Sequence, residues 1–291
     1  MRLLDGNRIR EALLVEIAEG VAALGEPPRL TVVQVGSDAA SEVYIRNKMR
    51  ACALTGILGE HRRLSAGISQ AELDQELADQ SAGPADGVIL QVPLPAALSA
   101  NQAMLQLDPD KDVDGFHPVN LGRLVAGLPG FVPCTPAGIR ELLHRSEVPI
   151  RGQHVVILGR SVIVGKPAAL LFLEKHALAD ATVTVCHSAS RDLPALCREA
   201  DILIAAVGSP ELVRADWVKA GVVVVDVGVN RVEDPGAPRG YRLVGDCDFA
   251  GIAGKAAAIT PVPGGVGPLT VAMLLRNTLT ACRRRRGLPE R

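Results

Sequence analysis

Apolar positions along this chain recur in two alternating rhythms. Ile9, Leu13, Ile17, Val21 and Leu24 fall at helical spacing, with Asp5 placed to cap the segment and Gly25 and Pro27 to end it. A continuous apolar run, LTVVQV at 30–35, then has the length of a buried strand. Ser37 or Asp38 can cap a second helix running to about Gly56, and Ser69 with Glu72 forms a capping box for a third. GVILQV at 87–92 is another buried strand, stopped by Pro93 and Pro95, and Ser99 opens a short helix. DPDKDVDG (108–115) and HPVN (117–120) read as turns. The alternation resumes near Thr135 and Pro136, which suit an N-cap and a first helical position. Strands are expected at 153–159, 181–186, 201–208 and 221–228, with helical segments between the first three. A polar, proline-containing excursion, RVEDPGAPRG, follows, and a last helix is expected over about 268–282. Arg283 to Arg286 read as its solvated, dipole-favoured end. Strand–helix alternation at this spacing predicts an α/β protein with a doubly wound parallel sheet.

Composition narrows the picture. A length of 291 residues suggests about two domains. Nearly half the residues are hydrophobic, yet only 4 Phe, 1 Trp and 2 Tyr are aromatic. The core is therefore aliphatic, as in parallel sheets covered by helices. Thirty-one basic residues against 32 acidic ones leave a net charge of −1, which provides no positive field to gather nucleic acid. No apolar stretch exceeds strand length, so no membrane partner is expected. The charged N-terminus has no signal-peptide pattern, and six cysteines without a CxxC pair read as free thiols in a reducing compartment. The expectation is a soluble cytoplasmic protein with no metal site.

Several short constellations carry candidate chemistry. VVILGRSVIVGKP at 155–167 places Gly159, Arg160, Ser161 and Gly165 between a strand and a helix. Small residues there let a phosphate approach the backbone and the helix N–H groups; the alternative is a plain β–α turn. The pattern is GxSxxxG rather than GxGxxG, and Ile163 excludes a GxSxG nucleophile elbow. The strand at 181–186 ends in Cys186, followed by His187, Ser188 and Arg191, where NAD-binding folds usually place a carboxylate. Hydroxyls with Arg191 and Arg160 suit a 2′-phosphate, favouring NADP over NAD, unless these are simply surface turns.

Tyr44 and Lys48 share one helix face and form either a proton-handling pair or a solvated surface pair. Gln91 ends a buried strand, either facing a ligand or satisfying its own loop. DPDKDVDG fails the EF-hand pattern because its twelfth position is Val119. PVPGGVGP at 261–268 is shaped for close approach of something flat or phosphorylated, or for a tight turn.

Taken together, these motifs resemble the bifunctional methylenetetrahydrofolate dehydrogenase/methenyltetrahydrofolate cyclohydrolase family, the FolD type. YIRNK (44–48), QVPLP (91–95), KDVDGFHPVNLGRL (111–124), PCTPAGI (133–139), GRSVIVGKP (159–167), DVGVNR (226–231) and PVPGGVGPLT (261–270) carry the resemblance, from Gly6 to about Thr280. Departures are conservative: Val92, Val229, Cys247 and Leu269 replace the usual Leu, Ile, Val and Met.

The resemblance implies two α/β domains with an active-site cleft between them. A catalytic, folate-binding domain would span 1–122, completed by the C-terminal helix 268–291. A Rossmann-like NADP-binding domain would span 123–267. It implies oxidation of 5,10-methylenetetrahydrofolate to the methenyl form, then hydrolysis to 10-formyltetrahydrofolate, in one-carbon metabolism that feeds purine biosynthesis. Lys48 would handle the proton of hydrolysis, Tyr44 orient it, Gln91 tune it and Asp114 hold the pterin. Gly159, Arg160, Ser161, Ser188 and Val229 would contact NADP. A homodimer is also implied. The competing readings are a monofunctional or NAD-preferring dehydrogenase of this fold, a shikimate-type dehydrogenase, and a non-catalytic dinucleotide sensor. A sensor would have no use for Tyr44, Lys48, Gln91 and Asp114 together.

Overall fold

A computed structural model describes residues 1–290. The chain opens with a short strand β1 (Arg2–Leu3) and helix α1 (Gly6–Ala22), whose start is capped by Asp5 through the Arg8 N–H at 3.1 Å. The next elements are β2 (Arg29–Val35), α2 (Ala39–Thr55), β3 (Leu58–Leu64), α3 (Gln70–Ala82), β4 (Gly87–Gln91), α4 (Ala100–Met104) and α5 (Pro118–Ala126). A second series runs α6 (Cys134–Arg145), β5 (His154–Leu158), α7 (Gly165–Leu173), β6 (Thr182–Cys186), α8 (Leu193–Arg198), β7 (Ile202–Ala205) and β8 (Val223–Asp226). The hairpin β9 (Asn230–Glu233) and β10 (Tyr241–Val244), then α9 (Phe249–Ala253), β11 (Ala258–Ile259) and α10 (Val266–Arg285), complete it.

The chain divides into two compact units. One comprises 11–134 and 271–291, the other 1–10 and 135–270. These limits differ from the expected 122/123 boundary, and the first ten residues join the unit expected to start at 123. The cause is β1, whose Arg2 and Leu3 pair in parallel with Ala258 and Ile259 of β11.

In the first unit, β2 lies between β3 and β4, all parallel. Val33, Val35, Val88 and Leu90 pack with Leu73 and Leu77 of α3 and with Ala103 and Leu107 in one aliphatic cluster. Asp38 caps α2 by accepting the Ser41 N–H at 2.8 Å, and Gly56 ends it at φ 78°. The Ser69–Glu72 capping box starts α3. The strand β3 was not evident in the sequence, because LGEHRRL is a polar edge, exposed along nearly its whole length. HPVN is not an isolated turn: His117 caps α5 through Nδ1 at 3.1 Å, with Pro118 at the first helical position. Arg283–Arg286 are not merely solvated. Arg285 forms an ion pair at 2.7 Å with Asp86, whose side chain is fully buried. Arg284 stacks on Phe131, and Arg286 donates to the Glu26 carbonyl.

In the other unit, six parallel strands lie in the order β1-β11-β8-β7-β5-β6. Chain direction across the sheet reverses at β5, which has β6 on one side and β7 on the other. The carboxyl ends of β5 and β7 therefore form a topological switch point. The excursion after β8 is an antiparallel hairpin rather than an irregular loop, with Arg231 stacked on Tyr241 at 4.0 Å. Helix α6 begins at Cys134, so Thr135 lies inside it instead of capping it, and its Oγ1 is 3.1 Å from that of Thr270.

Candidate functional site

The first unit gathers all four residues expected to act on a folate. Gln91 ends β4 in register with Gln34 of β2, at the carboxyl edge where ligands of parallel sheets bind. Its Oε1 accepts a hydrogen bond from Lys48 Nζ at 3.1 Å, and its own amide donates to the Val92 carbonyl at 2.7 Å. One end of Gln91 thus satisfies its own loop, and the other holds the lysine. Lys48 is buried, whereas Tyr44, one turn earlier on α2, is exposed. The pair is thus not simply solvated surface: the amine is buried while the phenol is exposed.

Asp114 is half-buried in the turn between α4 and α5. Burial raises its pKa, while the positive charge of Lys48 and a bond from the Cys134 thiol oppose the rise. The Val113 carbonyl just before it is held by Asn277 Nδ2 at 2.9 Å and by the Cys134 thiol at 3.4 Å. Two buried groups nearby complete the turn. Asp112 accepts the N–H groups of Gly115, Phe116 and His117 and the Asn120 amide, and burial nonetheless pushes its carboxyl up to about 6. Burial also drives the Cys134 thiol well above the usual range, so it serves as a donor and not a nucleophile. Sequence reasoning missed Asp112, Cys134 and Asn277. A lone Asn in the middle of α10, just after its apolar run, was the one available signal.

The second unit holds the residues expected at a dinucleotide. Gly159 follows β5 at φ 124°, and a Cβ there would lie 2.2 Å from the Ala206 carbonyl oxygen. A Cβ on Gly165 would lie 2.2 Å from the Gly159 carbonyl. Both glycines are therefore required by close backbone approach at the switch point, not by flexibility. Ser161 Oγ accepts the N–H groups of Val164 and Gly165 at 3.1 and 3.4 Å, ordering the turn into α7. Val162, Ile163 and Val229 stay exposed, as do Arg160 and Ser188. The β6 end carries no carboxylate: Cys186 leads into a turn in which the His187 N–H donates to Ser190 Oγ at 3.0 Å. A cradle closed to side chains, a helix start, and the exposed Arg160 after β5 and Arg191 after β6 fit a phosphorylated dinucleotide. No helix among the described residues is long and apolar enough to cross a membrane.

Known proteins share this arrangement along the whole chain. Residues 4–114 match the tetrahydrofolate dehydrogenase/cyclohydrolase catalytic domain, and residues 133–286 match the NAD(P)-binding domain of the same name. The chain is 52% identical to the bifunctional protein FolD of Nitratidesulfovibrio vulgaris, over 99% of this chain and all of that one. The crystal structure of the bifunctional FolD from Campylobacter jejuni superposes with a TM-score of 0.92 at 41% identity, covering 98% of this chain and 99% of that one. The Trypanosoma brucei enzyme, solved with NADP and an inhibitor, gives a TM-score of 0.91 at 41% identity, with 97% of each chain covered. The protein belongs to the tetrahydrofolate dehydrogenase/cyclohydrolase family.

Proposed function

We propose that this chain oxidises 5,10-methylenetetrahydrofolate to the 5,10-methenyl cation with NADP⁺, then hydrolyses that cation to 10-formyltetrahydrofolate. The observation that carries the reading is the buried Lys48, bonded to Gln91 at 3.1 Å and electrostatically coupled to Asp114. Asp114 offers acceptor oxygens to the N–H and amino donors of a pterin. Water attacking the methenyl carbon gives up two protons; one goes to the ring nitrogen as the C–N bond breaks, the other to solvent. Lys48 Nζ relays the first, held by Gln91, with the Tyr44 phenol orienting it. Such help is typically worth roughly 10²–10⁴-fold.

NADP⁺, when bound, supplies the hydride acceptor. Gly159, Arg160, Ser161, Ser188 and Val229 hold it, and Arg160 or Arg191 meets the 2′-phosphate. An NAD-preferring reading lacks the carboxylate at the β6 end that the ribose hydroxyl would need. Mixing protein, NADP⁺ and methylenetetrahydrofolate and following the methenyl and NADPH absorbances, before and after acid, tests both steps. NADPH formed without subsequent hydrolysis would favour a monofunctional dehydrogenase.

The chain forms a homodimer in this reading, through the exposed edge of β3. The Leu58 N–H points to the Pro28 carbonyl on the β2 side, so alternate N–H groups from Gly59 to Arg63 face outward. Sedimentation should give a dimer, and His61→Pro, which removes one outward donor, a monomer. Six buried, unpaired cysteines and the one-carbon chemistry together favour the cytoplasm and a supply of formyl groups for purine biosynthesis.

A further inference from the structure

Two buried carboxylates hold the carboxyl edge of the six-stranded sheet. Asp226, at the end of β8, accepts the N–H groups of Gly228, Asp246 and Cys247 at 2.9–3.0 Å. Asp246 is fully buried. It accepts three successive backbone N–H groups, from Val207 at 2.6 Å, Gly208 at 3.0 Å and Ser209 at 2.9 Å. A fourth bond comes from Asn230 Nδ2 at 2.9 Å. Consecutive N–H groups converging in this way form an anion-binding concavity, here filled by the protein's own carboxylate. Glycines make the approach possible: a Cβ on Gly228 would lie 2.2 Å from Asp246 Oδ1, and one on Gly245 1.8 Å from Asp226 Oδ2.

The Ala206–Val207 peptide connects this arrangement to the glycine turn. The N–H and C=O of a trans peptide point in opposite directions. Here the N–H points into Asp246, and the Ala206 oxygen faces Gly159 closely enough to exclude any Cβ there. On the other flank, Asp246 grips Asn230, the neighbour of Val229. One carboxylate therefore sets the spacing of three loops: the turn after β5, the loop after β7 and the loop after β8.

We infer that Asp246 is a positioning residue of the dinucleotide site. It shapes the surface on which the cofactor lies through Gly159 and Val229, while touching neither cofactor nor substrate. The inference rests on the nucleotide reading given above. Replacing Asp246 by Asn exchanges one acceptor oxygen for a donor that faces other donors, so at least one of the four bonds is lost. Gly228→Ala instead displaces the carboxylate without removing its charge.

Calorimetric titration of NADP⁺ into the full-length protein tests this, with tetrahydrofolate titrated into the same preparations as reference. Both variants should bind NADP⁺ at least tenfold more weakly, with tetrahydrofolate affinity within about twofold of wild type. Amide exchange at Val207–Ser209 should quicken in the folded variants. Asn230→Ala, which removes a single bond, should weaken NADP⁺ several-fold and carries the same test if Asp246→Asn does not fold. A folded Asp246→Asn protein that binds NADP⁺ within twofold of wild type overturns the inference alone. Wild-type protein that fails to bind NADP⁺ overturns the nucleotide reading and this inference with it.

Discussion

Lys48 Nζ and Gln91 Oε1 lie 3.1 Å apart, joining a helix face to the carboxyl end of a strand 43 positions away in sequence. The contact fixes the one buried amine of α2 at the edge where a parallel sheet receives its ligand. Lys48→Met keeps the length and apolar stem of the side chain but cannot carry a proton. The variant should still reduce NADP⁺ and accumulate methenyltetrahydrofolate, with hydrolysis reduced roughly 10²–10⁴-fold. Dehydrogenase and cyclohydrolase assays on one preparation measure the split. Hydrolysis within a few-fold of wild type, in a folded protein, removes Lys48 from that role.

Asp114→Asn should weaken folate binding by about 10–100-fold, the cost of losing hydrogen bonds to a charged acceptor, about 1.5–3 kcal/mol. NADP⁺ binding should change little, because Asp114 and the glycine turn belong to different compact units. Calorimetry with both ligands checks this; equal losses would make Asp114 a structural residue.

Arg160→Ala should raise the KM for NADP⁺ much more than that for NAD⁺, by on the order of tenfold or more. Steady-state kinetics with both nucleotides give the ratio. An unchanged ratio passes the 2′-phosphate to Arg191, which follows the β6 turn.

Asp112 and Asp226 are buried carboxyls whose pKa values burial raises from 3.8 to about 6. An acid with a raised folded pKa stabilises the fold most fully below its unfolded pKa. That contribution fades as pH rises from 3.8 to 6, by about 3 kcal/mol per group. Carbon-detected carboxyl titration should find both groups changing near pH 6. Titration of both near pH 4 would show that their N–H donors outweigh burial.

Arg285→Ala should destabilise the first unit by about 2 kcal/mol. A broken buried pair costs about 3–5 kcal/mol, here reduced because Arg285 is partly exposed. Asp86 would retain the Arg29 N–H at 2.8 Å but lose its counter-charge. Denaturant unfolding measures the loss, and Asp86→Asn in the same background should recover part of it.

Elements with strong local signals were legible in the sequence. The Ser69–Glu72 box, the Asp38 and Ser99 caps and the aliphatic runs of β2, β4, β5 and β8 each announce themselves within a few residues. The strand β3 did not, because an exposed edge needs no apolar alternation and its residues resemble a loop. Likewise, RVEDPGAPRG hid a hairpin whose cohesion comes from cross-strand pairing and the Arg231–Tyr241 stack. Tyr44, Lys48, Gln91 and Asp114 were readable as a set only through family resemblance. Their supports, Cys134 and Asn277, act on a main-chain carbonyl far away in sequence. No short motif encodes such a contact.

The pairing of β1 with β11 bears on how the protein can be made and cut. Each compact unit is stitched from two distant stretches of chain, one joining the first ten residues to 135–270 and the other joining 11–134 to 271–291. A ribosome therefore releases all three strands of the β3-β2-β4 sheet long before α10 exists, and the glycine-turn unit waits for most of translation between its opening strand β1 and that strand's partner β11. A single proteolytic nick between the units, or a gene split at one point, leaves both pieces short of an element. Because the stretches of the two units alternate along the chain, moving the termini by circular permutation leaves them interleaved, and neither unit can be excised whole as one continuous segment.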